Sequence, residues 1–187
     1  MDSKASVQTS AVSEVWCLVC GKVSGFKRMQ GRLPPRSEKE LAMFQHILIP
    51  TDGSELSNLA VTGGVKFAKE THAKITGLTV TRPYHLLAID ALQASVPIEE
   101  YSSECDTQAK RNLSTLKEEA AKADVFCEFL HRSNEHPYEE IVKTAQDKHC
   151  DVIFMASHGR RGVGALILGS ETQKVLTHTK IPVLVYR

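Results

Sequence analysis

No apolar run in this 187-residue chain approaches the ~20 residues needed to cross a membrane, and the longest apolar stretches are only strand-length. A membrane partner is therefore not expected. The chain also lacks a dominant charge. Its 23 Lys and Arg face 22 Asp and Glu, a net of +1, so nothing global marks a binder of nucleic acid or of a membrane surface. Paired cysteines are missing too: Cys17, Cys20, Cys105, Cys127 and Cys150 are odd in number and irregularly placed. That pattern is not a disulfide framework, and a reducing cytoplasm is the expected compartment. Cys17-x-x-Cys20 has half the spacing of a zinc site, but no second Cys/His pair stands nearby to complete four ligands, so no metal site is expected.

What is present divides unevenly. Residues 1–43 carry seven Lys/Arg and four Asp/Glu, whereas residues 44–187 carry 16 and 18 and all eight histidines. The first 43 residues are Ser-rich, basic around Pro34–Pro35, and without a sustained period of 3.6 or 2. Their one apolar patch, Val15–Val19, is too short and too late for a signal-peptide core. We expect a poorly ordered N-terminal extension over 1–43, with Met43 as a natural start, followed by one domain over 44–187.

The most informative segment is Val152–Ser170. An apolar run, Val152–Ala156, ends in a loop containing Gly159, Gly162 and Gly164, and Gly169–Ser170 then opens a helix-like pattern. Strand, glycine loop and helix start together suit a phosphate, because glycines admit close backbone N–H groups and a helix N-terminus adds unpaired donors. The loop is neither a Walker A nor a GxGxxG sequence; its glycines come as GxxGxG.

Strands and helices alternate from Met43 onward. Strands are expected at Phe44–Pro50, Lys74–Thr81, Val125–His131, Asp151–Ser157 and Ile181–Tyr186. Helices are expected from Ser54, as cap, to about Thr71, then over Ile98–Ala123 with Leu113 and Leu116 inward, Pro137–Lys148 and Ser170–Thr177. A short helix is expected at His85–Leu92, and Ser170-x-x-Gln173 suits a capping box. This alternation predicts an α/β fold: a five-stranded parallel open sheet with helices on both faces. In such sheets ligands sit at the carboxyl ends of the strands, which places Pro50–Gly53 and Ala156–Gly164 on one rim.

Three segments then carry a resemblance: Ile47-Leu-Ile-Pro-Thr-Asp-Gly-Ser54, Ala156-Ser-His-Gly-Arg-Arg-Gly162 running on to Leu168-Gly-Ser170, and Lys180-Ile-Pro-Val-Leu-Val185. In this order and spacing, residues 44–187 resemble a universal stress protein domain. The resemblance implies a Rossmann-like three-layer sandwich of the adenine-nucleotide α-hydrolase kind. The ATP-binding branch of that family has Gly, two residues, Gly, nine residues, Gly, then Ser or Thr. Its later members fall on Gly159, Gly169 and Ser170, and its first falls on Ala156, a departure. A Cβ there is compatible with negative φ.

The resemblance further implies an adenine-nucleotide ligand, ATP with or without Mg²⁺. Pro50, Thr51 and Asp52 would lie against the adenosine, with Asp52 near the ribose hydroxyls. Val80 would offer backbone groups to the adenine edge, and Met155 and Ala156 would flank the ribose. Gly159, Gly169, Ser170 and Thr172 would hold the phosphates, and Arg160 and Arg161 would add charge there. It also implies a homodimer formed through the terminal strand Val183–Tyr186, an apolar edge that needs covering.

Each residue also has a plainer reading. Asp52 suits a turn that caps the first helix, His158 reads as structural or solvent-facing, and Cys127 and Cys150 read as small buried hydrophobes. No arranged base, nucleophile or metal cluster is recognisable in the sequence, so at most slow ATP hydrolysis is expected. Two other readings stand beside the nucleotide-binding regulator. One is a dimeric stress protein that acts through partner binding, with Ala156 blocking the pocket. The other is an enzyme on the same fold, although the histidine-rich loop of adenylyl-transferring relatives is missing between Pro50 and Ser57.

Overall fold

A computed structural model describes residues 44–83, 98–159 and 168–187. The extension over 1–43, the short helix expected at His85–Leu92, and Arg160, Arg161, Gly162 and Gly164 all lie outside the described residues.

The described elements run in order β1 (His46–Pro50), α1 (Glu55–Thr71), β2 (Lys74–Thr81), α2 (Ile98–Ala123), β3 (Cys127–Ser133), α3 (Pro137–Asp147), β4 (Val152–Ala156), α4 (Ser170–His178) and β5 (Val183–Tyr186). The five strands form one parallel sheet in the order β3-β2-β1-β4-β5. Helices α1 and α2 cover one face and α3 and α4 the other. The expected fold class is therefore the observed one, and β5 lies at a sheet edge as its composition suggested.

The strand chemistry follows from this layering. Central strands β1 and β4 are covered on both faces, so Ile47, Leu48, Ile49, Val152 and Ile153 are all fully buried. Alternate side chains serve opposite cores. Ile47, Ile49, Phe154 and Ala156 pack with Ala60, Val61, Val65 and Ala68 of α1 and Leu116 of α2. Leu48, Ile153 and Met155 pack with Ile141 and Ala145 of α3 and Val175 of α4. Gly77, in the middle of β2, has no room for a Cβ, because the Leu116 side chain occupies that space and brings α2 down onto the strand.

Both ends of β3 and the cap of α4 differ from expectation for physical reasons. Strand β3 begins at Cys127 and runs to Ser133, two residues later than expected at each end. At its start, the N–H groups of Asp124 and Val125 are used to close the end of α2, bonding to Ala121 O and Ala120 O. At its finish, backbone pairing to β2 continues through Thr81–Ser133 on an edge strand that does not need apolar side chains. Helix α4 begins at Ser170 as expected, but the capping box does not form. Gly169 is the N-cap, and Ser170 is already one position inside the helix.

Candidate functional site

The turn from β1 into α1 is built by its own short polar side chains. Asp52 Oδ1 accepts from the Ser54 N–H at 3.0 Å and from Ser54 Oγ at 2.7 Å. Ser54 is the N-cap and accepts from the Ser57 N–H at 3.3 Å. Buried Thr51 accepts from Ser57 Oγ at 2.8 Å and from the Gly53 N–H at 3.2 Å. Gly53 sits at φ 73°, and a Cβ there would come within 2.7 Å of Asn112 Oδ1. The turn thus needs glycine both for its backbone conformation and for its contact with α2.

The rim that follows β4 is tied down differently. The Gly169 N–H donates to Ser157 O at 2.8 Å, and Gly169 lies so close to His158 that a Cβ would stand 3.0 Å from the His158 Cα. Thr172 is buried, and its hydroxyl donates to Ala156 O at 3.0 Å, fastening α4 to the end of β4. The first-turn amides of α4 open toward the crevice beside Ser170. Glu171, in that same turn, is turned aside. Its carboxylate accepts from the Tyr138 N–H at 2.9 Å and pairs with Lys174 Nζ at 2.9 Å. His158 Nδ1 lies 3.1 Å from Ser157 Oγ.

The two rims meet. A Cβ on Gly159 would run into Asp52 Oδ2, so the loop after β4 passes directly against the carboxylate that follows β1. Between them opens a cavity of about 960 Å³, whose wall includes Pro50, Thr51, Asp52, Val80, Met155, Ala156, Gly159, Gly169, Ser170 and Thr172. Of the twelve residues named from the sequence, all but Arg160 and Arg161, which lie outside the described residues, border this one space. The methyl of Ala156 does not plug it. That residue is 8% exposed and belongs to the apolar cluster on the α1 face.

A model of the universal stress protein family matches residues 43–187. The chain belongs to the universal stress protein family. Universal stress protein YxiE of Bacillus subtilis is 31% identical over 150 residues, covering 78% of this chain and all of that one. Universal stress protein MJ0577 of Methanocaldococcus jannaschii is 28% identical over 161 residues, covering 78% of this chain and 96% of that one. The solved structure of MJ0577 superposes with a TM-score of 0.62, covering 77% of this chain and 96% of that one. A further universal stress protein, solved in complex with cAMP, has a TM-score of 0.57 at 23% identity over 77% of this chain and 97% of that one.

The opposite wall comes from α2 and was not anticipated from the sequence. Asn112 is 6% exposed, donates from Nδ2 to Thr79 Oγ1 at 3.0 Å, and accepts from Gln108 Nε2 at 2.6 Å. Asn112 is more buried than Leu113, which is half-buried against Gly77 of β2, while Leu116 is fully buried. Tyr101 closes the far end. Its hydroxyl donates to Arg82 O at 2.7 Å, and burial, helped by Cys105 beside it, pushes the phenol up to about 12. Burial likewise pushes the Cys127 and Cys150 thiols up to about 12, so both are protonated apolar groups at neutral pH.

Proposed function

We propose that this universal stress protein is a regulatory protein of the stress response that binds an adenine nucleotide in the crevice between β1 and β4. The observation that carries the reading is the contact of Gly159 with Asp52 beside the start of α4. A carboxylate suits ribose hydroxyls, and a helix N-terminus behind a glycine suits phosphate, so the crevice offers both chemistries at one place. Ala156 leaves the space open. In this reading Pro50, Thr51 and Val80 face the adenosine, Met155 and Ala156 flank the ribose, and Gly159, Gly169, Ser170 and the Thr172 amide hold the phosphates of ATP. The same fold holds cAMP in one solved relative. Among the described residues no group of three His, Cys, Asp or Glu is gathered for a metal, so Mg²⁺ would arrive bound to the phosphates. Nucleotide binding orders the loop and shifts a conformational or partner equilibrium, with slow turnover at most. The three described cysteines carry free thiols, in keeping with a reducing cytoplasm.

The test is a titration of the full chain with mant-ATP, read by anisotropy of the mant group and followed by competition with ADP and AMP. Saturable binding that Asp52→Ala weakens about tenfold is expected. No saturation at millimolar nucleotide overturns the reading and leaves a partner-binding dimer in its place.

Pairing of β5 with its two-fold mate is part of the same proposal. Strand β5 is an edge, and Leu184, Val185 and Tyr186 are only half-buried. Val183 belongs to the core, so Val185→Lys is the cleaner probe. It is expected to leave a folded monomer by light scattering with unchanged far-UV circular dichroism, and a persistent dimer would exclude this interface.

A further inference from the structure

Beside the α2 wall, three side chains from three different elements are linked in a line. Thr81, the last residue of β2, has its Oγ1 2.8 Å from His131 Nε2 on β3. The other ring nitrogen, Nδ1, lies 3.1 Å from Asp106 Oδ1 on α2. The chemistry fixes the direction of this line. An ionised carboxylate only accepts, so His131 Nδ1 carries the hydrogen and donates it to Asp106. In the neutral ring Nε2 then presents its lone pair, and the Thr81 hydroxyl donates to it. Hydroxyl, imidazole and carboxylate thus stand in the order, and at the separations, of an activated alcohol, its base and the group that orients the base.

Placement supports a chemical use. Thr81 borders the cavity, while His131, whose side chain is 27% exposed, lies outside its lining. Arg82, next in the chain and also part of the cavity wall, brings a cation to the same rim. Neighbouring Thr79 satisfies its hydroxyl on Asn112, which leaves His131 to Thr81. A tie between α2 and the sheet does not need this sequence of groups, and Asn112 already makes one.

We propose that Thr81, His131 and Asp106 form a nucleophile–base–carboxylate set that accepts an acyl group from a small ester in the cavity and passes it to water. Thr81 Oγ1 attacks the ester carbonyl carbon, and its proton moves to His131 Nε2. The bond from carbonyl carbon to the alcohol oxygen breaks, and the alcohol departs with that proton. Water then attacks the Thr81 ester, loses a proton to Nε2, and releases the carboxylic acid as Thr81 takes the proton back. Asp106 remains a carboxylate throughout and keeps the ring in its working tautomer. Its 62% exposure makes it the weakest of the three contributors. The inference is independent of nucleotide binding.

The full chain is incubated with p-nitrophenyl acetate, and release of p-nitrophenol is followed. The acetylated protein is trapped in acid, weighed intact and mapped by peptide mass spectrometry. One acetyl group on Thr81 is expected. Thr81→Val, which keeps the shape and removes the oxygen, is expected to fall to the rate of buffer. His131→Gln is expected to fall ~100-fold and Asp106→Asn about tenfold. Circular dichroism and Tm of each variant establish that the fold is kept. Acetyl on another residue, or Thr81→Val retaining the rate, overturns the proposal. Variants that lower Tm while the acetyl adduct on Thr81 persists overturn it as well, because they reduce the trio to a strut.

Discussion

The two walls of the crevice are made in opposite ways. The wall formed by the β1–α1 and β4–α4 turns is mostly backbone: glycines that let chain approach chain, first-turn amides, and hydroxyls that bond within their own turn or, for Thr172, to a backbone carbonyl. The wall formed by α2 and β2, with β3 beside it, is side chain. Thr79 meets Asn112 across 33 residues, Thr81 meets His131 across 50, and His131 meets Asp106 across 25. A backbone wall recognises shape and charge that any nucleotide shares, whereas a wall of individual hydroxyls, amides and an imidazole can be tuned one residue at a time. The first wall suits a property shared by a family, and the second suits what is particular to one member.

The contact between the walls is the place where breaking one breaks the other. Gly53 is at φ 73° and its missing Cβ is where Asn112 sits. Gly53→Val adds left-handed strain to a collision with the buried amide, and a destabilisation of about 3 kcal/mol is expected by urea unfolding. A variant as stable as the parent would mean that the walls are not packed on one another.

Gly159→Val separates binding from folding. Gly159 is exposed, and the nearest atoms its Cβ would meet are those of the Asp52 carboxylate. The expected outcome is a loss of mant-ATP affinity of about tenfold or more, ~1.4 kcal/mol, with Tm nearly unchanged. Affinity that survives would place the ligand away from the Asp52–Gly159 junction.

This contrast also explains what was legible in the sequence. The alternation of strands and helices and the glycine-rich rim follow from local patterns, since apolar runs, caps and glycine spacing each act over a few residues; the lateral order of the strands does not. Asn112 and His131 carry no such signal. Asn112 looks like one more polar residue on an amphipathic helix, and His131 looks like the end of a strand. Only the parallel register, which sets Thr79 opposite His131 and lays α2 across both, gives them partners. The missed capping box has the same origin. Ser170 fits the local pattern, but the bond from the Gly169 N–H to Ser157 O moved the cap back by one residue.

At the opposite end of the strands from the crevice, His46 provides a smaller and purely structural test. It is 6% exposed, its Nε2 lies 2.8 Å from Thr76 Oγ1, and burial, then the Lys74 charge, hold it below its ordinary value of 6.5, against the opposing pull of a hydrogen bond to the Lys148 backbone and of Asp151 and Glu128. The folded chain therefore binds this proton less readily than the unfolded chain. Stability from the neutral ring is full above about pH 6.5 and is lost as pH falls from there through the lowered folded value. Tm followed from about pH 7.5 to about pH 5 is expected to decline, and His46→Gln is expected to flatten that slope. A variant with the same slope would assign the decline to other groups.

The smallest effect lies at the helix ends, where the chain spends backbone strain that no site uses. His72, Asp124 and His149 close α1, α2 and α3 in the left-handed region, at φ 55°, 56° and 53°, where glycine is the favoured residue. His149 is exposed, its ring makes no hydrogen bond among the described residues, and the Cys150 N–H after it returns to Ala145 O at 2.8 Å. His149→Gly relieves the Cβ while keeping those backbone bonds, and a gain of about 0.5–1 kcal/mol is expected, read as a rise in Tm of a few degrees. The gain is reduced by the greater freedom that glycine gives the unfolded chain, so its sign decides which term is larger. Because this position touches neither wall, mant-ATP affinity and any acyl transfer are expected to stay unchanged while Tm rises, which separates the stability of the scaffold from the chemistry of the crevice.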